Sequence, residues 1–255
     1  MLSKGKIKNI NQLHQKKFRK ELGLFIVEGS KVVEEFLHAA IKITEIYGLE
    51  SWIKKNTALL DEKKCVYGVI NEAELARISG LQTPNEVLAV CKQPVVTEKD
   101  IDVRAPLFLY LDGITDPGNM GTIVRTAEWF GLTQVFMAKE SAEVFGPKVV
   151  QSSMGSVARI RSFYLPLKQL SELVGKTAIW GADLSGENIY TQDLPSRCIL
   201  VIGSESHGIS AEAKKMISKS ISIPAAGSSK TESLNAAGAA SVILSEMFRK
   251  SNFSR

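Results

Sequence analysis

Residues 109–131, LYLDGITDPGNMGTIVRTAEWFG, join an apolar strand to an amphipathic helix through a turn rich in Asp, Gly and Pro. Two later segments follow the same plan: residues 201–210, VIGSESHGIS, and residues 223–240, IPAAGSSKTESLNAAGAA. Each begins with a short strand that ends in Gly or Pro, followed by a polar loop and a helix. Because polar loops that follow parallel strands meet at one edge of the sheet, the three segments predict a ligand-binding crevice.

The composition is that of an ordinary globular protein. Of the 255 residues, 44% are hydrophobic, which is enough for a sizeable core in two modest domains. No apolar run approaches the ~20 residues that a membrane span requires. The basic start of the chain has neither the apolar core of a secretion signal nor the bias of a transit peptide, so we expect a cytoplasmic protein. The cysteines (Cys65, Cys91, Cys198) and the histidines are scattered, which predicts neither a disulfide framework nor a metal site.

Basic residues are concentrated at the start of the chain. Residues 1–31 hold eight Lys and Arg against two Glu, a net charge of +6, whereas the whole chain is +5 and the remainder is therefore −1. We predict that residues 1–20 form an exposed basic segment, helical from Ile10, that contacts a phosphate backbone. From charge alone, a solvated tail that promotes solubility is the alternative. The residues predicted to make this contact are Lys16, Lys17, Arg19 and Lys20, which would bind RNA if the nucleic acid is RNA.

Two domains are predicted. In residues 1–95 strands alternate with helices, which indicates a small α/β domain. Residues 96–106 are charged and lie between prolines, a composition typical of a linker. Residues 107–255 contain short apolar segments that are each followed by turn residues: LFLYL, QVFMA, TAIWGA, CILVIG and SISIP. Near-continuous apolar strands separated by helical segments predict a mostly parallel sheet covered on both faces.

The turn DPGNMG and the helix after it carry two polar residues of interest. Pro117 sets the turn, and we place the N-cap of the helix at Asn119. Arg125 follows about one and a half turns later, beside small or polar residues. It is either a binding group or a surface cation paired with Glu128 at i+3.

The segment GSESHG places a serine between a strand and a helix, but it does not fit a hydrolase. A nucleophile elbow centred on Ser206 requires glycine at position 204, where the chain has Ser204, and no histidine follows His207. We interpret Gly203 as a position where a ligand approaches the backbone and Glu205 as a carboxylate at the sheet edge. For Glu205, a solvated acid at a helix start is the alternative.

The third segment is not a phosphate loop, because Ser229 stands where the Walker pattern needs a glycine before Lys230. Ser233 and Asn235 offer a hydroxyl and an amide at a helix start. Residues 236–241 have only small side chains, which lets another backbone lie very close. A tightly packed core helix and a contact with a second subunit both remain open.

Together the three segments resemble the SpoU (TrmH-like) family of RNA ribose 2′-O-methyltransferases, within the SPOUT superfamily. DPGNMGTIVRTAEWFG is similar to the first motif of that family, VIGSESHGIS to the second and IPAAGSSKTESLNAAGAA to the third. The resemblance covers residues 107–249. The N-terminal part, with GLFIVEGSKVVEEFL, resembles the substrate-binding domain of the family, which has an L30e-like RNA-binding α/β fold.

The resemblance implies a C-terminal SPOUT domain with a deep trefoil knot, which is rare among protein folds, and a smaller L30e-like N-terminal domain. It also implies S-adenosylmethionine as the cofactor, no metal, and a homodimer formed through the C-terminal domain. The backbone that would hold the cofactor surrounds Ala182, Gly203, Ile223 and Leu234. The chain departs from the family in a longer segment between Ile223 and Leu234, which affects residues 227–232, and in Ala225 and Ala226, where bulkier residues are common.

The implied reaction is transfer of a methyl group to a ribose 2′-hydroxyl of structured RNA. Arg125 is expected to bind the adjacent phosphate and to stabilise the developing alkoxide, because a guanidinium stays protonated. Asn119 and Ser233 would orient the ribose, Glu205 would fix Arg125 or the ribose, and Asn235 would brace the loop. Ribosomal RNA is favoured over tRNA because of the separate N-terminal module. The alternative from a different class is a non-catalytic RNA-binding or ribosome-assembly factor.

Overall fold

The computed structural model describes residues 1–227, 231 and 233–250, and these form two compact units. The first unit holds residues 1–95 and 143–159. The second holds residues 96–142 and the described residues from Ile160 onward. None of the helices in the described part of the chain is long and apolar enough to cross a bilayer.

The first unit has an α/β fold, as the alternating pattern predicted. Its four-stranded sheet has the order β1-β4-β2-β3, in which β4 is antiparallel to both neighbours and β2 is parallel to β3. Its elements, in chain order, are α1 Lys4–Gln12, α2 Lys16–Leu22, β1 Leu24–Glu28, α3 Ser30–Leu37, β2 Ile43–Gly48, α4 Glu50–Glu62, β3 Tyr67–Val69, α5 Glu72–Ile78 and β4 Val87–Lys92.

The prediction that residues 1–20 form an exposed segment is wrong. Both α1 and α2 lie in this segment, so the helix begins before Ile10. Ile7, Ile10 and Leu13 are buried and pack in one hydrophobic cluster with residues of β1, α5 and β4. The lysines dominate the composition, but the apolar residues between them lie on one helical face and are buried with the core.

The second unit contains a six-stranded sheet of order β10-β8-β9-β5-β6-β7, in which every pairing is parallel. Every residue of β5 and of β6 is buried, so side chains on both faces of these strands are covered. The elements from this point in the chain are β5 Leu107–Asp112, α6 Pro117–Trp129, β6 Gln134–Met137, α7 Pro147–Ser152, β7 Arg161–Tyr164, α8 Leu167–Val174, β8 Ala178–Asn188, β9 Cys198–Gly203, α9 Ala211–Lys214, β10 Lys219–Ser222 and α10 Ala236–Lys250.

Strand order confirms the predicted parallel sheet but does not test the trefoil knot, which stays a prediction. One strand, β7, was not predicted. Its sequence RSFY lacks the continuous apolar run of β5, β6 and β9, and only Phe163 is buried along it. As the edge strand of the sheet, β7 has only one neighbour to pair with.

The segment predicted as a linker is anchored on the second unit. Ile101 is buried in the cluster that contains Phe108 and Phe136 of β5 and β6. Gln134 accepts a hydrogen bond from the backbone N–H of Asp102 and donates one to its carbonyl, both at 2.9 Å. Residues 96–106 therefore extend the second unit.

Residues 143–159, which lie between β6 and β7 in the sequence, belong to the first unit. The carboxylate of Glu143 lies 2.6 Å from the guanidinium of Arg19, and the rings of Phe145 and Phe25 are 4.7 Å apart. Arg159 forms an ion pair with Glu35 at 2.8 Å. No sequence pattern indicated that this short segment would complete the N-terminal unit, because the contacts join residues far apart in the chain.

Candidate functional site

Two of the three predicted strand ends lie side by side in the sheet. In the pairing of β5 with β9, Asp112 is opposite Gly203, so the loops that follow both strands leave the same edge. The loop after β5 leads into α6, whose N-cap is Asp116 and whose first residue is Pro117. Placing the N-cap at Asn119 was wrong, because Asp116 Oδ1 accepts the backbone N–H of Asn119 at 2.7 Å and Pro117 suits the first helical position.

The loop after β9 folds back on the strand that precedes it. Ser204 and Gly208 exchange two backbone hydrogen bonds, at 3.1 Å and 2.8 Å. A Cβ atom added at Gly203 would overlap the backbone of Gly208 and Ile209, so only glycine fits there. Glu205 lies on this loop and is exposed. Gly203 thus serves a close approach of the backbone, although the partner is the returning chain.

The first turn of α10 joins the three loops. Asn235 Oδ1 accepts the backbone N–H groups of Ala237 and Gly238, at 2.9 Å and 3.2 Å, and so caps the helix. The amide Nδ2 of Asn235 donates to Asn119 Oδ1 at 2.8 Å and to Glu205 Oε1 at 2.6 Å. The same oxygen of Glu205 accepts the N–H of Ala236 at 3.1 Å. Asn235 therefore directly contacts one residue from each of the other two motifs.

A cavity of about 670 Å³ opens beside this contact. All four residues that were predicted to hold a cofactor line it, together with two of the predicted catalytic residues and part of α10. Its walls are mainly apolar, with a few polar groups from the loops, which is the usual character of a small-molecule site. These six predicted residues in the lining are Ala182, Gly203, Glu205, Ile223, Ser233 and Leu234.

One wall of the cavity comes from an irregularity in β8. The pairing of β8 with β10 shifts between Ser220 and Ile221, so that Gly181 and Glu187 of β8 oppose consecutive residues of β10. The residues between them bulge out of the ladder, and Ala182 and Asp183 reach the cavity. Sequence reasoning missed Asp183. Glycines on both sides of the bulge, at 181 and 186, were the available signal.

Asp183 is held as a carboxylate. Hydrogen bonds from the hydroxyl and the backbone N–H of Ser185 lower its pKa, and the ammonium of Lys214, 3.4 Å away, acts in the same direction. Two of these contacts come from within the bulge and the third from the end of α9. The cavity therefore has one fixed negative charge in its wall besides Glu205.

Arg125 is exposed on α6, six residues after Asn119, which is about 9 Å further along the helix axis. It is not among the described residues that line the cavity. Its place in an active site therefore stays a prediction. Residues 228–230 and 232, which belong to the lengthened loop 227–232, lie outside the described residues.

Of the four predicted RNA-binding residues, three are available to solvent. Lys16, Lys17 and Lys20 are exposed on α2, whereas Arg19 is only 4% exposed and forms a bidentate pair with Glu143. Assigning Arg19 to RNA was wrong, because its guanidinium is turned inward and its charge is already matched.

The run of small residues at the start of α10 has a partner within the chain. Ala236, Ala237 and Ala240 are buried, and the hydroxyl groups of Ser241 and Thr126 are 3.2 Å apart. The helix that lies close to this run is α6. Packing inside the second unit therefore accounts for part of the pattern, and the predicted contact with a second subunit stays a prediction.

The cysteines are free thiols in the structure. Burial raises the pKa of Cys198 to about 12 and also raises those of Cys91 and Cys65. Within the described ranges, no group of three His, Cys, Asp or Glu side chains is placed to hold a metal ion.

Comparison with known proteins gives matches over both units. Residues 106–245 match the SpoU rRNA Methylase family, and residues 4–89 match the MRM3-like substrate binding domain. The chain is 28% identical to the 23S rRNA (guanosine(2553)-2′-O)-methyltransferase RlmP of Bacillus subtilis, over 94% of each protein.

Two solved structures have similar folds. A TrmH-family protein from Porphyromonas gingivalis is 37% identical, with a TM-score of 0.86 over 98% of this chain and 99% of that one. The AdoMet-bound rRNA methyltransferase from Sinorhizobium meliloti is 27% identical, also with a TM-score of 0.86, over 100% of this chain and 97% of that one.

Proposed function

The chain belongs to the SpoU rRNA Methylase family of RNA methyltransferases, and we propose on this basis that it transfers a methyl group from S-adenosylmethionine to a ribose 2′-hydroxyl of ribosomal RNA. The observation that carries the proposal is the contact of Asn235 with both Asn119 and Glu205 at the cavity. The relative from Bacillus subtilis is a 23S rRNA 2′-O-methyltransferase, and the structure from Sinorhizobium meliloti is AdoMet-bound, which supports both the substrate and the cofactor.

The cavity suits the proposed cofactor. S-adenosylmethionine supplies an activated methyl group on a sulfonium centre, and it is an amphipathic molecule within the size range of such cavities. Apolar side chains of Ile223 and Leu234 would contact its apolar parts, and the backbone around Ala182 and Gly203 would bind its polar groups. The charge of Asp183 is matched by Lys214, so the carboxylate of Glu205 is the one in the wall that would favour a cationic ligand over a neutral one.

Methyl transfer to a hydroxyl requires that the oxygen is held in line with the methyl group and that its proton is removed. Positioning of this kind contributes up to roughly 7–11 kcal/mol. Ser233 lines the cavity, and Asn119 is linked through Asn235 to Glu205, which also lines it, so we assign Ser233 and Asn119 to orienting the ribose. Glu205 has one oxygen committed to α10, which leaves the other for the ribose or for Arg125.

Arg125 is assigned to the phosphate next to the target ribose. A guanidinium stays protonated, with a pKa above about 12, so it does not serve as the proton acceptor. Its planar fork suits a phosphate, and its charge would stabilise the alkoxide as it develops. Since Arg125 is exposed, bound RNA would be needed to bring it into the reaction.

The first unit is proposed to bind the RNA around the target. Lys16, Lys17 and Lys20 lie within five residues on α2 and are exposed. Neutralising phosphates with lysines releases condensed counterions, so affinity contributed by this face falls steeply with salt.

We further propose a homodimer through the C-terminal domain. Trp129 ends α6 and is 81% exposed, so its large apolar ring is available to a second subunit. Equilibrium sedimentation of Trp129→Glu should give a monomer where the unchanged protein gives a dimer. Val103→Glu, at another exposed apolar residue of the second unit, is the control. A stable monomer of the unchanged protein at micromolar concentration contradicts the dimer.

Methylation in vitro tests the proposed function. Purified protein is incubated with methyl-labelled S-adenosylmethionine and ribosomal RNA from cells that lack the gene. Label should enter RNA and resist alkaline hydrolysis at one linkage, because a 2′-O-methyl group blocks attack on the neighbouring phosphate. Arg125→Ala should bind the cofactor normally in calorimetry but lose most of its turnover. Arg104→Ala, an exposed arginine in residues 96–106, is the matched control.

Two results would redirect the proposal. Label in tRNA with none in ribosomal RNA would change the substrate. Absence of cofactor binding in calorimetry, with RNA binding intact, would favour a non-catalytic RNA-binding or ribosome-assembly factor.

A further inference from the structure

Asp112, the last residue of β5, has a buried carboxylate and is only 8% exposed. We propose that Asp112 is a positioning residue that holds the loop after β9 in place and thereby sets the position of Glu205. The inference deepens the proposed methyl transfer and rests on it for its catalytic consequence. That Asp112 holds the loop after β9 is inferred from contacts within the second unit and does not depend on the proposed reaction.

The carboxylate acts on the far end of the loop. Asp112 Oδ2 accepts the backbone N–H of Ser210 at 2.7 Å, a short bond to a charged acceptor. Ser210 is the N-cap of α9, and its own hydroxyl accepts the N–H of Ala213 at 3.2 Å. Asp112 therefore fixes the point where the loop ends and the helix begins.

The near end of the loop is fixed by packing. Gly203 is paired with Asp112 across the sheet, and the returning backbone at Gly208 and Ile209 lies directly over it. Ile209 is buried in the core cluster of the second unit. Between these ends, the two backbone hydrogen bonds of Ser204 and Gly208 close a small turn.

Glu205 lies in that small turn. Its position therefore depends on the hydrogen bond between Asp112 and Ser210 and on the packing over Gly203. Through Oε1 it receives the N–H of Ala236 and the amide of Asn235, which link it to α10. Without the acceptor at Asp112, the N–H of Ser210 loses its partner, and the return arm of the loop is held only by the packing of Ile209 and the backbone hydrogen bonds of Ser204 and Gly208. A displacement of about 1 Å at a reacting group can cost ~100-fold in rate, so a residue outside the cavity can control turnover.

Four single variants separate the hydrogen bond from its surroundings. Asp112→Ala removes the acceptor, whereas Asp112→Asn keeps a neutral one. Ser210→Pro removes the donor, and the φ angle of −59° at Ser210 is one that proline adopts. Ser210→Gly keeps the N–H but loses the capping hydroxyl, as Ser210→Pro also does, so it is the matched control.

Two measurements are made on the full-length protein. Hydrogen exchange detected by mass spectrometry should be several-fold faster over residues 204–210 and 236–240 in Asp112→Ala and Ser210→Pro than in Ser210→Gly. Turnover should fall at least about tenfold in the first two variants and less than about threefold in Asp112→Asn and Ser210→Gly. Turnover of the double variant Asp112→Ala/Glu205→Ala should be no lower than that of the more impaired single variant, since both substitutions disturb the position of the same carboxylate.

The outcomes are distinguishable. Unchanged exchange in both Asp112→Ala and Ser210→Pro overturns the inference, whether or not the protein is active. If the loss of turnover in the double variant equals the product of the losses in Asp112→Ala and Glu205→Ala, then Asp112 does not act through Glu205. If Asp112→Asn is as impaired as Asp112→Ala, the charge matters and the hydrogen bond to Ser210 does not. Inactivity of the unchanged protein on every RNA refutes the proposed function, while the exchange data still decide the positioning role.

Discussion

The guanidinium of Arg19 and the carboxylate of Glu143 form an ion pair at 2.6 Å although 124 residues separate them in the sequence. Both side chains are largely buried, with 5% and 14% of their surface exposed. The pair ties α2 to the segment 143–159, which complements the N-terminal sheet. A basic residue in the lysine-rich start of the chain is thus part of the core of its unit.

Replacing Arg19 with methionine should destabilise the protein. Removing one partner of a buried pair leaves the other uncompensated, at a cost of about 3 kcal/mol. Urea unfolding of the full chain measures this loss. Lys20→Met, at the exposed neighbour on the same helix, should leave stability unchanged and weaken RNA binding instead. Equal stability of the two variants would contradict the structural role of Arg19.

Changing Asn235 to Asp should separate its two functions. The aspartate can still accept the N–H groups of Ala237 and Gly238, so the helix cap survives. It can no longer donate to Glu205, and it places a second carboxylate where Nδ2 lies 2.6 Å from Oε1. Two carboxylates this close cannot both ionise easily, so the pKa of the pair rises.

The sign of the resulting pH dependence is fixed by proton binding. A carboxyl group with a raised pKa binds more protons in the folded state than in the unfolded one, so stability falls as the pH rises above about 4. Thermal unfolding of Asn235→Asp between pH 4 and pH 8 should therefore show a growing loss relative to the unchanged protein. A constant difference across this range would argue against contact between positions 235 and 205.

Gly203→Ala should abolish cofactor binding. The added Cβ would overlap the backbone of Gly208 and Ile209, and backbone cannot move aside as a flexible side chain can. The loop would have to shift, which distorts the cavity. Titration calorimetry with S-adenosylmethionine checks this. Gly5→Ala in the first turn of α1 is the control for the same substitution, because its Cβ would come no closer than 4.0 Å to another group, and stability should not fall.

Ser185→Ala should remove a hydrogen bond that stabilises the Asp183 carboxylate and should lower the stability of the folded protein. The hydroxyl of Ser185 donates to Asp183 Oδ1 at 2.7 Å and helps to keep the pKa of that carboxyl below its usual value. A lowered pKa gives stability that is present above the ordinary pKa of about 3.9 and is lost as the pH falls through the lowered value. The stability difference between the variant and the unchanged protein should hold near neutral pH and shrink in strong acid. Chemical denaturation from pH 2 to pH 7 measures it.

Apolar patterning was sufficient for most of the fold. The five apolar segments of the second unit are strands of one parallel sheet. In β5, β6 and β9 burial on both faces leaves a run of hydrophobic residues that the sequence displays directly. Where that pattern is weak, as in RSFY of β7, prediction failed. At the start of the chain, the many lysines led to the prediction of an exposed segment, although the apolar residues of α1 are buried on one helical face.

For the candidate site, the sequence by itself determined which loops carry the polar residues, since motifs place Asn119, Glu205 and Asn235 just after strands or at helix starts. Only the tertiary structure decided how they combine: Asn235 joins the other two, Asp116 caps α6, Arg19 is buried and Asp112 anchors a distant loop. Strand and helix signals arise from neighbouring residues and can be read locally. A hydrogen bond between residues a hundred positions apart depends on the packing of the whole unit, and no local pattern records it.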